Sequence, residues 1–136
     1  MKVALIGLDG ATFDIVVPLL KQGKLPVLKR LIENGVHAKL VSTVPAVTAT
    51  AWVSTFTGNN PGKHGIFDFF TVESMDMRLV NSTDIRSRTL WDFLNEFGKK
   101  TIIINVPMTY PPEKVDGAII SGMFIPKEGS EYAYPS

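Results

Sequence analysis

Short apolar runs alternate with segments of helical periodicity along this chain. Residues 2–8 (KVALIGL) form a continuous apolar run, which is typical of a strand buried on both faces of a parallel sheet. We predict further strands at residues 36–42, 77–80, 101–106 and 118–121. Because strand and helix patterns alternate, the predicted fold class is α/β, with a mostly parallel sheet flanked by helices.

Glycine and proline mark the ends of the predicted helices. The first covers residues 13–22, and we expect Pro18 to break it because proline lacks the amide that a helix interior needs. The second covers residues 26–34, with a proline at its first position and a glycine after its last. A later helix is predicted over residues 87–98.

The composition describes one globular domain. The chain has 136 residues, of which 45% are hydrophobic and 20% charged, so a core can form and a disordered chain is excluded. A net charge of +1 argues against nucleic acid as a partner. No apolar run approaches the roughly 20 residues that span a bilayer. We therefore expect a single domain over residues 1–136, cytoplasmic and with no membrane partner.

The residue inventory limits the chemistry. The chain has no cysteine, which excludes disulfides, thiolate zinc sites and cysteine nucleophiles. It has two histidines, His37 and His64, too few for a histidine-rich metal site. His37 alternates along a predicted strand and is interpreted as a strand residue.

Two polar positions follow predicted strands, where ligands bind in open α/β sheets. Asp9 comes directly after the first apolar run, and residues 43–48 follow the second strand. A carboxylate at a strand end is a suitable metal ligand. It is equally suited to a turn or to a helix cap, and position alone leaves both interpretations of Asp9 open.

Thr48 stands where the uncharged segment 43–58 enters a predicted helix. Unpaired amides and the helix dipole stabilise a phosphate or a developing oxyanion at such a point. A threonine hydroxyl there could attack phosphorus if a metal ion lowered its pKa. The commoner role of Thr48, or of Thr50, is that of an N-cap.

The loop at residues 59–66 offers Lys63 and His64 after a tight turn. A histidine in a loop flanked by glycine is more often a buttress than a ligand contact, although its ordinary pKa near neutrality suits catalysis. Trp52 and Phe56 lie at helical spacing and are interpreted as core residues.

These positions together carry a family pattern. Asp9 stands in the motif IGLDG, and residues 43–66 have the sequence TVPAVTATAWVSTFTGNNPGKHGI. The type I phosphodiesterase/nucleotide pyrophosphatase family, part of the alkaline phosphatase superfamily, has an Asp after its first strand, then a nucleophilic Thr, then TGxxPxxHGI. The chain resembles this family over essentially its whole length, and the motif places the nucleophile at Thr48.

The resemblance implies an alkaline-phosphatase-like fold and a metal-dependent phosphoryl-transfer hydrolase with two divalent metal ions, usually zinc. Asp9 and Thr48 would contact the metals, and Thr48 would attack phosphorus to form a covalent intermediate. The Ala49 amide would hold a non-bridging oxygen. Lys63 and His64 would contact a phosphorylated small-molecule substrate.

Two departures from the family pattern concern the substrate. Nucleotide pyrophosphatases have a proline two residues after the nucleophile, where this chain has Thr50. They also have a substrate-binding Asn after an Asp that follows the HGI motif, whereas Asp68 is followed here by Phe69. These departures leave open whether a nucleotide phosphodiester is the substrate.

The family's other metal ligands come from a later region than this chain covers. Two zinc ions need roughly six or more protein ligands, and Asp9, Thr48 and two histidines do not supply them. We therefore expect the N-terminal portion of a larger hydrolase domain, in which the chain alone binds no metal, or a truncated product without activity. Edges and apolar faces left open in this way favour a homo-oligomer.

Two other functions stay open. One is a relative of the cofactor-independent phosphoglycerate mutases, whose nucleophile is typically Ser. The other is a non-catalytic α/β module that binds an anion or a partner.

Overall fold

A computed structural model describes residues 2–73, 76–125 and 129–136. The chain divides into two compact units, Met1–Val41 and Ser42–Ser136. No helix within the described ranges is long and apolar enough to cross a membrane.

The first unit contains two helices in contact, α1 (Phe13–Lys21) and α2 (Pro26–Asn34). The predicted break in α1 is wrong, because the helix continues through Pro18. A proline in this position removes one backbone hydrogen bond, and the neighbouring turns keep theirs. Pro26 begins α2 at the position where a missing amide costs nothing.

The predicted strands at residues 2–8 and 36–42 are wrong. Neither segment pairs with a strand in the described part of the chain, and Val3, Leu5, Ile6 and Leu8 are exposed. An apolar run favours extended backbone, but a strand also needs a neighbouring chain to accept its hydrogen bonds. The sequence pattern indicates the first property and is silent on the second.

The second unit begins with helices α3 (Thr48–Thr57) and α4 (Pro61–His64). An antiparallel hairpin of β1 (Phe70–Glu73) and β2 (Asp76–Leu79) follows. Beyond it lie a 3-10 turn (Ser82–Asp84), α5 (Leu90–Glu96), β3 (Thr101–Pro107), β4 (Gly117–Gly122) and β5 (Ala133–Tyr134).

The strands predicted near residues 77–80, 101–106 and 118–121 are confirmed as β2, β3 and β4. Helix α5 begins three residues later than predicted, because the Thr89 side chain caps it and accepts a hydrogen bond from the Asp92 amide. The sequence pattern does not predict the two-residue strand β5.

The fold is mixed α/β with small sheets. In the described residues β3 pairs in parallel with β4, whereas β4–β5 and β1–β2 are antiparallel. The predicted predominance of parallel pairing is therefore not seen in these sheets. Ile103 pairs with Ile119, and both are buried.

Strand β3 is buried on one face and exposed on the other over most of its length. Ile103 is buried, but Ile102 and Ile104 are 77% and 64% exposed. The core of this unit forms between the inner face of the sheet and the helices beside it. Its buried members are Ala49, Val53, Phe56, Ile66, Val80, Trp91, Ile103, Met108, Val115 and Ile119.

Candidate active site

Thr48 is the first residue of α3, as the sequence predicts. Val47 before it is extended and forms the N-cap without a side-chain hydrogen bond, and its carbonyl accepts from the Ala51 amide at 2.9 Å. Neither Thr48 nor Thr50 is therefore the N-cap. The first amides of a helix have no acceptor within it, so the turn that begins at Thr48 presents donors and positive potential.

The burial of this turn differs sharply between adjacent residues. Thr48 is partly buried, whereas Ala49 and Thr50 are fully buried and lie on the core-facing side of α3 with Val53. Close packing of Ala49 and Thr50 holds the start of the helix in place. The Thr48 side chain is thus partly exposed at the start of a turn whose next two residues are packed in the core.

Thr50 lies on the core-facing side without a hydrogen-bonding role. Its side-chain oxygen is buried and has no hydrogen-bond partner in the described part of the chain. Thr57, two turns later on the same helix, contrasts with it: its hydroxyl donates to the Val53 carbonyl at 2.7 Å and accepts from the Asn59 amide at 3.3 Å. The two threonines share a buried face, but only Thr57 is satisfied.

His64 closes α4 and is 0% exposed. The Ile66 amide donates to its Nδ1 at 3.1 Å, so Nδ1 carries no proton and the neutral ring carries it on Nε2. Nε2 then donates to the Ser54 hydroxyl at 2.8 Å. Burial lowers the pKa of His64, which agrees with a neutral ring.

These two bonds make His64 a brace between the loop and the middle of α3. Both ring nitrogens are engaged within the protein, which favours the buttressing role over a substrate contact. The substrate contact assigned to His64 stays a prediction. Ser54, the other half of the brace, was not identified from the sequence, since nothing in its local pattern indicates a partner ten residues away.

Lys63 lies beside His64 but is exposed. Its amide donates to the Asn60 side chain at 3.2 Å, which caps α4 and fixes the backbone of the turn. An open groove of about 680 Å³ runs alongside, lined by Ser54, Phe67 and residues 58–62 among others. Thr48, Ala49, Lys63 and His64 do not line this groove.

Asp9 lies in the first unit, in a turn with Gly10, whose φ of 67° favours glycine. A carboxylate and a threonine hydroxyl are hard oxygen donors of the kind that divalent metal ions accept. Within residues 2–73, 76–125 and 129–136, however, no group of three or more His, Cys, Asp or Glu could hold a metal ion. The metal contacts assigned to Asp9 and to Thr48 therefore stay predictions.

Comparison with known families agrees with the motif. The family model for type I phosphodiesterase / nucleotide pyrophosphatase matches residues 3–134, and the chain belongs to this family. No curated protein and no solved structure matches the chain significantly. The predicted family is therefore confirmed, and phosphodiesterase- or pyrophosphatase-type hydrolysis is the function that it indicates.

Proposed function

We propose that this chain carries the nucleophile of a metal-dependent phosphoryl-transfer hydrolase, and that Thr48 is that nucleophile. One observation carries the proposal: Thr48 occupies the first position of α3, partly exposed, on a turn that Ala49 and Thr50 anchor in the core. The family membership supports the reaction class. The proposed architecture of the whole domain is alkaline-phosphatase-like, with a larger sheet than the described strands form.

The reaction proceeds in two displacements. The Thr48 oxygen bonds to phosphorus while the bond from phosphorus to the leaving alcohol breaks, and the leaving oxygen takes a proton. Water then bonds to phosphorus, the bond to the Thr48 oxygen breaks, and the hydroxyl regains its proton. Each step exchanges one P–O bond for another, so no co-reactant besides water is needed.

Amides at the start of α3, the Ala49 amide among them, stabilise the negative charge that develops on a non-bridging oxygen. Two divalent metal ions, proposed to be zinc, supply activation of nucleophile and leaving group when bound. Asp9 and Thr48 are the oxygen donors that this chain offers them. The remaining donors lie outside the described residues.

The proposed substrate is a phosphorylated small molecule, with Lys63 as a charge partner for its phosphate. Lys63 is exposed beside a fixed turn and could reach solvent-borne anions. A cytoplasmic location fits such a substrate and is proposed with it. The departures at Thr50 and Phe69 leave the esterifying group of the substrate unassigned.

The proposal is tested with the complete product of the gene that encodes this chain, supplied with zinc. We expect turnover of bis(p-nitrophenyl) phosphate or p-nitrophenyl phosphate that a chelator abolishes and zinc restores. Thr48→Ala should lower kcat by more than about 100-fold, since a removed nucleophile leaves only binding and charge stabilisation.

Thr55→Ala is the matched control, because Thr55 lies on the same helix, is exposed and donates its hydroxyl to the Ala51 carbonyl of its own helix. It should keep full activity. Unchanged turnover in Thr48→Ala would refute the assignment of the nucleophile. Absence of turnover on either ester, in a folded protein that has bound zinc, would favour the non-catalytic alternative.

A further inference from the structure

A pocket of about 380 Å³ lies within the second unit, and no residue of α3 lines it. One wall is formed by the chain between the 3-10 turn and α5, and the other by Met108, Thr109 and Glu113. Met108 and Thr109 directly follow β3, which pairs in parallel with β4. Ligands of α/β proteins bind beyond the carboxyl ends of parallel strands, and this pocket occupies that position.

Arg86 is the cation available in this pocket. Its amide donates to the His64 carbonyl at 3.0 Å, and its side-chain carbons lie close to Gly65, so its stem is held. Its guanidinium makes no hydrogen bond or ion pair with the part of the chain that the structure describes. The Asp84 carboxylate, whose charge interacts with that of Arg86, is held by Arg78 in two hydrogen bonds of 2.9 and 2.6 Å.

The pocket's other charged groups are already engaged. Arg88 pairs with Glu96 at 2.5 Å and lies over the Phe93 ring at 4.3 Å. Asp92 accepts hydrogen bonds from the amide and hydroxyl of Thr89 at the start of α5. Neither Arg88 nor Asp92 is therefore available to a ligand as Arg86 is.

Glu113 is the remaining carboxyl group of the lining. It accepts a hydrogen bond from the Trp91 indole. Burial raises its pKa, with a further contribution from the Asp92 charge, although the Trp91 hydrogen bond opposes the shift.

We propose that this pocket binds an oxyanion, the phosphate or carboxylate group of a small polar ligand, through the Arg86 guanidinium. A guanidinium matches either group with two parallel hydrogen bonds. Ser87 lies next to Arg86 in the lining and offers a hydroxyl donor. The volume falls in the range of small-molecule sites. The proposal does not depend on the reaction at Thr48.

Trp91 lines the pocket and reports on its occupancy. The chain has two tryptophans, so Trp52→Phe leaves Trp91 as the only one in the sequence. In this background we expect a saturable change of Trp91 fluorescence on titration with inorganic phosphate, with acetate as a second arm at equal ionic strength. Saturation by phosphate alone identifies a phosphate site, and saturation by both identifies a general oxyanion site.

Arg86→Gln should weaken the apparent affinity for the anion at least 10-fold. Arg86→Lys keeps the positive charge but loses the planar guanidinium, so its affinity should be intermediate between those of Arg86→Gln and the parent. Arg30→Gln, on α2 and outside the pocket, is the control and should bind like the parent. The proposal is overturned if neither anion gives a saturable change, or if Arg86→Gln, shown to be folded by circular dichroism, binds with the parent's affinity.

Discussion

The Nε2 atom of His64 donates a hydrogen bond to the Ser54 hydroxyl at 2.8 Å, and this bond fixes the loop of α4 to the middle of α3. The ring also accepts from the Ile66 amide at 3.1 Å, so it fits its site only when neutral. The helix that begins with Thr48 is therefore held at its middle by a group that can titrate.

Because burial lowers the pKa of His64, folding favours its neutral form. The neutral ring therefore contributes fully to the free energy of unfolding above about pH 6.5, the ordinary pKa of histidine. This contribution is lost as the pH falls from there towards the lower pKa of His64 in the folded state. We predict that urea unfolding of the second unit, followed from pH 8 to pH 5, shows a falling free energy of unfolding over this window.

His64→Gln should remove most of that pH dependence and cost about 1–3 kcal/mol at pH 8, because a buried donor or acceptor loses its partner. His37→Gln replaces the chain's other histidine, an exposed one, and should keep the parent's pH dependence. A slope that survives in His64→Gln would show that other groups cause it.

Replacing each of the two buried threonines of α3 by valine should change the free energy of unfolding in opposite directions. Thr50→Val removes a buried hydroxyl without a partner and keeps the shape of the side chain, so it should stabilise the protein by about 1 kcal/mol. Thr57→Val removes a hydroxyl that makes two hydrogen bonds and should destabilise it by about 1–3 kcal/mol. Denaturant melts of both variants check the pair.

A loss of stability in Thr50→Val would mean that its hydroxyl has a partner outside the described residues. Equal effects of the two substitutions would contradict the assignment of hydrogen bonds along this face of α3.

The start of α5 depends on a reciprocal cap. Thr89 accepts from the Asp92 amide at 3.2 Å, and the Asp92 carboxylate accepts from the Thr89 amide at 2.7 Å. Thr89→Ala should cost about 1 kcal/mol, whereas Thr89→Ser keeps the hydroxyl and should cost only a few tenths. Thermal melts separate the two, and a loss as large in Thr89→Ser would assign the effect to packing of the methyl group.

The sequence predicts some features of this molecule well and others poorly. Local patterns predict the start of α3 at Thr48 and the strands β3 and β4. One extended motif predicts the family. The strands predicted at residues 2–8 and 36–42 are wrong, because an apolar run does not identify the chain that would pair with it.

The site shows the same limit. The motif located His64, but its bond to Ser54 depends on how α4 folds back on α3. The exposed face of β3 is another case: Ile102 and Ile104 have the character of buried residues, and burial requires a covering layer that the pattern does not specify.

That face carries a prediction about association. Ile102, Ile104 and Ile120 are exposed on β3 and β4, and in the described residues β3 has a neighbouring strand on one side only. Such faces and edges favour pairing with a second copy. Light scattering over a dilution series should show a dimer or larger oligomer, and Ile104→Lys should shift it towards the monomer. A parent chain near 14.9 kDa at every concentration would contradict this prediction.

The most direct test of the central claim, that Thr48 forms a covalent bond to phosphorus, is the stereochemistry at phosphorus. The complete gene product is given a chiral phosphorothioate diester in isotopically labelled water. In-line attack by Thr48 followed by in-line attack by water inverts phosphorus twice, so we predict net retention of configuration, and turnover more than about 100-fold slower in Thr48→Ala. Net inversion would show a single direct attack by water and would contradict the role proposed for Thr48.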